Sequence, residues 1–278
     1  MVIFKRLRIP AACVVALLLN VPETVQAAAW TQEKGRGLII TSLTYDVATK
    51  VFNNTGRLES SPKFVKHEAN IYAEYGVTDW LTVLLLPGFQ RVSTGFSGAR
   101  RTESGINNTG FGGRIRLFNN GRHVVSVEGT YFLPGGIDTT ETTVLSRGNG
   151  DQEVKALYGL SWDFKVFSRK FPSFWDIQLG YRQRDGAPAN EFRADFTMGV
   201  RPFPRWQIFV QSFNIISDGA GKQTAQTVFP VFTMNKAQLT GVYDITERLS
   251  IQFGGFRTLA GRNIIQETAA FGAIWLRF

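Results

Sequence analysis

Phe192-Arg193-Ala194-Asp195-Phe196-Thr197-Met198-Gly199-Val200-Arg201 decides the fold. Phe192, Ala194, Phe196, Met198 and Val200 fall on one side of an extended chain, and Arg193, Asp195, Thr197, Gly199 and Arg201 fall on the other. This alternation describes a β-strand with one apolar and one charged face. Wound into a helix, the same residues would scatter their charges around the whole circumference.

The pattern recurs on both sides of that stretch. Trp175, Ile177, Leu179 and Tyr181 oppose Asp176, Gln178, Gly180 and Arg182. Phe111, Gly113, Ile115 and Leu117 oppose Gly112, Arg114 and Arg116. Val125, Val127, Gly129, Tyr131 and Leu133 oppose Ser126, Glu128 and Thr130, and Val154, Ala156, Tyr158, Leu160, Trp162 and Phe164 oppose Lys155, Gly159, Ser161 and Asp163. Collected, such segments give about twelve strands. The predicted strands are Gly37–Asp46, Phe64–Gly76, Leu81–Val92, Thr109–Phe118, His123–Leu133 and Glu153–Val166, then Phe174–Arg184, Glu191–Phe203, Trp206–Ile216, Val231–Asp244, Leu249–Leu259 and Ile264–Phe278.

The connections alternate in length. Tight turns fall at Val77–Trp80, Asn119–Arg122, Pro204-Arg205 and Ile245–Arg248, with a slightly longer one over Phe167–Ser173. Polar loops fall at Val47–Lys63, Ser93–Asn108, Pro134–Gln152 and Ser217–Pro230, and two short loops at Asp185–Asn190 and Ala260–Asn263 lie on that same side. Short turns on one side and longer loops on the other are the mark of an outer-membrane barrel, and an even strand number puts both termini on the short-turn, periplasmic side. A soluble β-sandwich also alternates, but no linker or shift in composition divides this chain into two such domains.

The N-terminus agrees on the compartment. Lys5, Arg6 and Arg8 precede an apolar run from Ile9 to Leu19, and Val25-Gln26-Ala27 offers small residues at a cleavage site. This is the pattern of a secretory signal peptide over residues 1–27, too short for a spanning helix. Cleavage after Ala27, or after Ala29, leaves a barrel over residues 28–278. Cys13, the sole cysteine, lies inside the signal. The mature chain therefore has no disulfide, no thiolate metal site and no cysteine nucleophile. The chain carries 31 Lys and Arg against 22 Asp and Glu, a net charge of +9. Losing the signal takes Lys5, Arg6, Arg8 and Glu23 with it and leaves 28 against 21. Export and the lack of a Lys/Arg-rich tract argue against nucleic acid as a partner.

The last strand carries an assembly signal. Ala270, Gly272, Ile274, Leu276 and Phe278 form one non-polar face and the chain ends on Phe278, which resembles the C-terminal targeting strand read by the barrel assembly machinery. Closing that strand on the first removes an exposed hydrophobic edge.

Two stretches resemble the outer-membrane transporter family named for the meta-pathway of phenol degradation. One is Tyr75-Gly76-Val77-Thr78-Asp79-Trp80-Leu81, followed by Leu86-Pro87. The other is Thr109-Gly110-Phe111-Gly112-Gly113-Arg114, followed by Leu133-Pro134-Gly135-Gly136, where Gly113 and Arg114 stand in place of the family's acidic residue. The resemblance implies fold and compartment, and it barely constrains the solute because fold does not fix function.

Catalytic chemistry finds little to work with. His67 and His123 are the only histidines. Three positions apart on a strand, His123 and Ser126 face opposite sides, and His67 has no serine two residues away. No ligand set for zinc is present, and the Asp- and Asn-bearing loop Asp138–Asp151 is better read as solvated than as a calcium site. Gly110-Phe111-Gly112-Gly113 lacks the Lys-Ser/Thr ending of a phosphate loop. No cofactor or metal is expected.

The polar face is the candidate site. Charge on the lipid face would cost about 2–4 kcal/mol at mid-membrane, so Glu74, Arg114, Arg116, Glu128, Lys155, Asp163, Asp176, Arg182, Arg193, Asp195, Arg201, Lys236, Asp244 and Arg277 are the expected pore lining. The expected function is passive uptake or efflux of a small polar solute. The arginine-rich face favours an anionic or aromatic-polar one. The alternatives are a closed structural barrel, if those charges pair with one another, and an outer-membrane lipid hydrolase. Expected partners are outer-membrane lipid, lipopolysaccharide, the assembly machinery and the small solute.

Overall fold

The computed structural model describes residues 29–96, 99–135, 150–166, 169–222 and 230–278. The predicted signal peptide, residues 138–149 of the Asp138–Asp151 loop and residues 223–229 of the predicted Ser217–Pro230 loop lie outside them. The strands are β1 (Gly37–Phe52), β2 (Leu58–Thr78), β3 (Leu81–Leu86), β4 (Gly88–Phe96), β5 (Ala99–Ile106), β6 (Thr109–Asn119), β7 (His123–Leu133) and β8 (Asp151–Val166). They continue as β9 (Arg169–Gln183), β10 (Asn190–Phe203), β11 (Trp206–Asp218), β12 (Thr233–Asp244), β13 (Leu249–Arg262), β14 (Ile264–Ile265) and β15 (Thr268–Arg277).

These fifteen segments make twelve membrane-crossing staves. Pro87, which has no N–H to give the ladder, separates β3 from β4, and its carbonyl accepts from Ile71 N at 2.9 Å. Asn107-Asn108 interrupts the partner stave between β5 and β6, and Gln266-Glu267 interrupts the last one. Each stave pairs antiparallel with its sequence neighbours. The first and last close the barrel through ten residue pairs, from Leu38↔Arg277 to Val47↔Thr268. Phe278 completes that seam, exchanging backbone hydrogen bonds with Gly37.

The two hairpins β1–β2 and β4–β5 correct the sequence reading. Val47–Lys63 and Ser93–Asn108 are mostly strand, not loop: β1 runs on to Phe52, β2 begins at Leu58, and β5 is an unforeseen strand. Sequences such as Glu59-Ser60-Ser61-Pro62-Lys63 and Arg100-Arg101-Thr102-Glu103-Ser104 are polar on both faces. Strands that rise above the bilayer meet water on both sides, which erases the period-two signal. β9 likewise starts at Arg169, inside the predicted Phe167–Ser173 turn. The turn before His123 follows its sequence: Gly121 takes φ +85°, Asn119 Oδ1 accepts from Gly121 N, and Asn120 Oδ1 accepts from Arg122 N and His123 N.

Burial is inverted relative to a water-soluble domain. Leu43, Ile71, Leu85, Val154, Leu179, Phe192, Val210, Leu239, Phe253 and Ile274 are among the many large apolar side chains that are exposed, whereas Arg114, Asp46, Asp151 and Asp176 are buried. The exposed set occupies alternate positions around the outside. Aromatic side chains gather toward the short-turn end: Trp206 packs on Tyr243 and Phe253, Tyr158 on Trp175, and Tyr75 stacks on Phe278. An apolar band with an aromatic girdle is the exterior a bilayer requires.

Candidate functional site

The interior has three levels. At the periplasmic end, residues 29–35 enter the barrel. Ala29 is fully buried against Val124 and Leu157. Trp30 meets Phe174 edge-on at 6.1 Å, Phe174 meets Phe209 at 5.8 Å, and Phe209 stacks on Trp275 at 6.3 Å. Val242 completes this apolar layer. Gly159 lets the Trp30 ring lie on the wall, because a Cβ there would collide with it.

The segment is also held by hydrogen bonds. Ser126 Oγ donates to Ala29 O at 2.7 Å, Arg114 Nη1 to Trp30 O at 2.9 Å, and Thr31 Oγ1 to Asp79 O at 2.7 Å. Gln32 N donates to Thr82 Oγ1 at 2.8 Å and Gln32 Nε2 to Glu74 Oε2 at 2.7 Å. Lys34 N and Gly35 N then reach Asp79 Oδ1 and Gly76 O.

Arg114 is the second level. Its Nη1 donates to Glu74 Oε1 at 2.9 Å, and its Nε and Nη2 to Glu128 Oε2 at 3.0 and 2.7 Å. Nη2 also reaches the Tyr72 hydroxyl, which donates to Glu74. Register explains the site: Arg114 sits directly opposite Glu128 on β7 and Thr82 on β3, and Thr82 in turn faces Gly76, two residues from Glu74 on the same face of β2.

Two clusters form the extracellular level. On β8–β10, Glu153 binds Arg182 at 2.7 Å, Lys155 at 3.1 Å and Arg193 at 3.4 Å. Glu191 binds Arg193 at 2.6 Å and Arg184 at 2.9 Å, and Asp151 lies 3.4 Å from Arg184. The Arg182 guanidinium also covers the Phe132 ring at 4.0 Å. Asp195 continues the same face below Arg193. The other cluster joins β1, β2 and β12. Lys66 lies 3.3 Å from Glu68, 3.3 Å from Glu267 and 3.6 Å from Asp46, and Lys236 binds Glu267 at 2.6 Å.

The predicted site residues therefore separate into groups. Glu74, Arg114 and Glu128 come together in the clamp, and Lys155, Arg182 and Arg193 in the β8–β10 ladder. Asp176 is fully buried just above the aromatic layer, its Oδ1 accepting from Gln178 at 3.0 Å. Arg201 and Arg277 share Asp244 at the periplasmic mouth, at 2.9 and 3.6 Å. Arg116 is half-buried and in no ion pair among the described residues. Asp163 stands at the periplasmic rim with an exposed carboxylate 4.0 Å from Lys170, away from the rest. Sequence reading missed Asp46, Lys66, Glu68, Asp151, Glu153, Arg184, Glu191 and Glu267, although strand parity puts most of them on the same face. It gave no hint of Trp30.

No Ser–His hydrogen bond occurs among the described residues. His123 Nδ1 pairs with the Tyr158 hydroxyl at 2.8 Å, His67 packs on Tyr45, and Ser126 serves Ala29 from the opposite face of β7.

No protein-family model matches the chain, and no curated protein does. Solved structures do. The COG4313 outer membrane channel from Pseudomonas putida F1 is similar over 92% of this chain and 100% of that one, with a TM-score of 0.68 at 14% identity. The transport unit of the autotransporter AIDA-I from Escherichia coli is similar over 94% of each chain, with a TM-score of 0.56 at 12% identity. The translocator domain of the autotransporter NalP from Neisseria meningitidis is similar over 89% of this chain and 90% of that one, with a TM-score of 0.51 at 11% identity. This chain is an outer-membrane β-barrel. At these identities the likeness is one of fold, and what the barrel does rests on its interior.

Proposed function

We propose that this outer-membrane barrel is a channel for passive movement of a small polar solute, closed at its periplasmic end by residues 29–35. One observation carries the reading: residues 29–35 precede the first strand, enter the bore and are hydrogen-bonded there, with Ala29 and Trp30 packed on aromatic and aliphatic side chains of the wall. A segment that is no part of the strand wall can move without unmaking the barrel, which suits a channel that opens. The anionic preference expected from the arginines finds little support, because Arg114, Arg182, Arg193 and Arg201 each face a carboxylate. The aromatic layer around Trp30 offers a stacking surface for a solute with a ring. The motifs at Tyr75–Leu81 and Thr109–Arg114 support a place among the phenol meta-pathway transporters.

The same reading favours one of the two expected cleavage sites. Cleavage after Ala27 keeps Ala29 as the partner of Ser126, whereas cleavage after Ala29 removes it. N-terminal sequencing of the mature protein should begin at Ala28.

The ion-pair ladders also suit a closed structural barrel, and flux separates the two readings. Proteoliposomes carrying the folded barrel should swell in small polar solutes, faster once Trp30→Ala loosens the stopper. No swelling with either protein would favour the structural barrel.

A further inference from the structure

The signs of the interior charges are unequal along the bore. Between the aromatic layer and the extracellular mouth, the clamp, the two clusters, Asp176 and Asp195 together present ten acidic and seven basic side chains. Below the layer the sign reverses, with Arg116, Arg201 and Arg277 against Asp244. Among the described residues these groups give the outer half of the lumen a formal excess of three acidic side chains, in a chain whose total charge is positive.

The excess has an address. In the β1–β2–β12 cluster three carboxylates share two ammonium groups, and Lys236 is engaged by Glu267 at 2.6 Å. Lys66 alone is left to serve Asp46, Glu68 and Glu267. Asp46 comes off worst: its side chain is 0% exposed, and neither oxygen has a hydrogen-bond partner among the described residues. Asp176 repeats the situation deeper down. It is 0% exposed, its Oδ2 has no partner, and it sits opposite Gly159, where the Trp30 ring lies. Burying an uncompensated carboxylate is costly, and a passing cation relieves that cost. The guanidinium groups offer anions little equivalent: their donors face carboxylates, and the one buried donor without a hydrogen bond, Arg184 Nε, lies 3.4 Å from Asp151, whose own oxygens are likewise without hydrogen bonds among the described residues.

We infer that the outer half of the lumen selects small cations over anions, with the carboxylates of Asp46 near the mouth and Asp176 at the stopper setting the preference. This rests on the channel reading above. Acidic side chains facing a confined bore act as a cation filter in the same way. A cation entering from outside passes the extracellular level, where the β8–β10 charges largely cancel and Asp46 is in excess, and reaches Asp176 beside Trp30.

The test is the reversal potential in planar bilayers under a potassium chloride gradient, for the intact barrel and for Trp30→Ala. Potassium should permeate about fivefold better than chloride, the size of one unit-charge interaction at 4 Å in bulk water. Asp46→Asn with Asp176→Asn should bring the ratio to about one, with heat-modifiable gel migration confirming a folded barrel. Should that pair fail to fold, each single substitution should lower the ratio part-way. Conductance that favours chloride, or shows no preference, overturns the inference and leaves the channel intact. A cation preference untouched by the substitutions overturns the assignment to these two residues. No conductance from either protein overturns the channel reading, and the inference falls with it.

Discussion

Replacing Arg114 with methionine tests whether the buried clamp holds the barrel and its stopper together. The arginine side chain is 2% exposed, and it donates to two carboxylates, to Tyr72 and to the Trp30 carbonyl. Removing one partner of a buried ion pair costs about 3–5 kcal/mol, because the charge left behind is uncompensated. The two carboxylates do not suffer equally. Glu74 keeps Gln32 Nε2 at 2.7 Å and the Tyr72 hydroxyl. Glu128 has both its side-chain hydrogen bonds from Arg114 and loses them together. The cost therefore concentrates on Glu128. Adding Glu128→Gln to Arg114→Met should recover about 2 kcal/mol, although Glu128→Gln alone destabilises; that sign of coupling is the signature of a shared buried charge. Urea unfolding of the folded barrel, followed by tryptophan fluorescence, measures all four corners of the cycle. A loss below about 1 kcal/mol for Arg114→Met, or no recovery in the double variant, would mean that water in the bore already solvates these groups.

Gly159→Val should push the Trp30 ring off the wall without touching a hydrogen bond, and so raise solute flux while leaving the segment's polar contacts intact; unchanged flux would show that the ring is not the seal. Deleting Phe278 removes the backbone exchange with Gly37 and the stacking on Tyr75, and should lower the yield of heat-modifiable barrel in the outer membrane at least several-fold. In the thiol-free mature chain, Arg57→Cys at the β1–β2 tip should label in intact cells and Arg122→Cys only after permeabilisation; the opposite result would invert the topology.

Much of the fold was legible because a membrane imposes period two on every stave. His123–Leu133 is predicted and found with the same ends, and the turn at Asn119–Arg122 is set by its own Asn and Gly residues. Legibility fails where the bilayer stops. The β4–β5 hairpin and the upper parts of β1 and β2 have water on both faces, so nothing in their composition separates strand from loop. The site was legible as a set of facings, not as a set of partners. Parity puts Arg114 inside but cannot say that it lies opposite Glu128, because register between staves depends on turns and bulges such as the one between Arg116 and Phe118. Asp46 and Lys66 also pair across the barrel's first hairpin, but the loop predicted over Val47–Lys63 hid how far that hairpin extends. Trp30 lay beyond any periodic pattern, as one aromatic residue just after the predicted signal sequence.

Single-channel recording of the intact barrel beside Trp30→Ala tests the central claim most directly. Burying an indole removes about 150–250 Å² from water, and part of that, about 2–3 kcal/mol at 25 cal/mol per Å², is lost on truncation to a half-buried alanine. The intact protein should show brief, rare openings, and Trp30→Ala should multiply the open time about 30- to 150-fold. Equal open times in the two proteins would show that residues 29–35 do not close the bore, and silence from both would show that there is no channel to close.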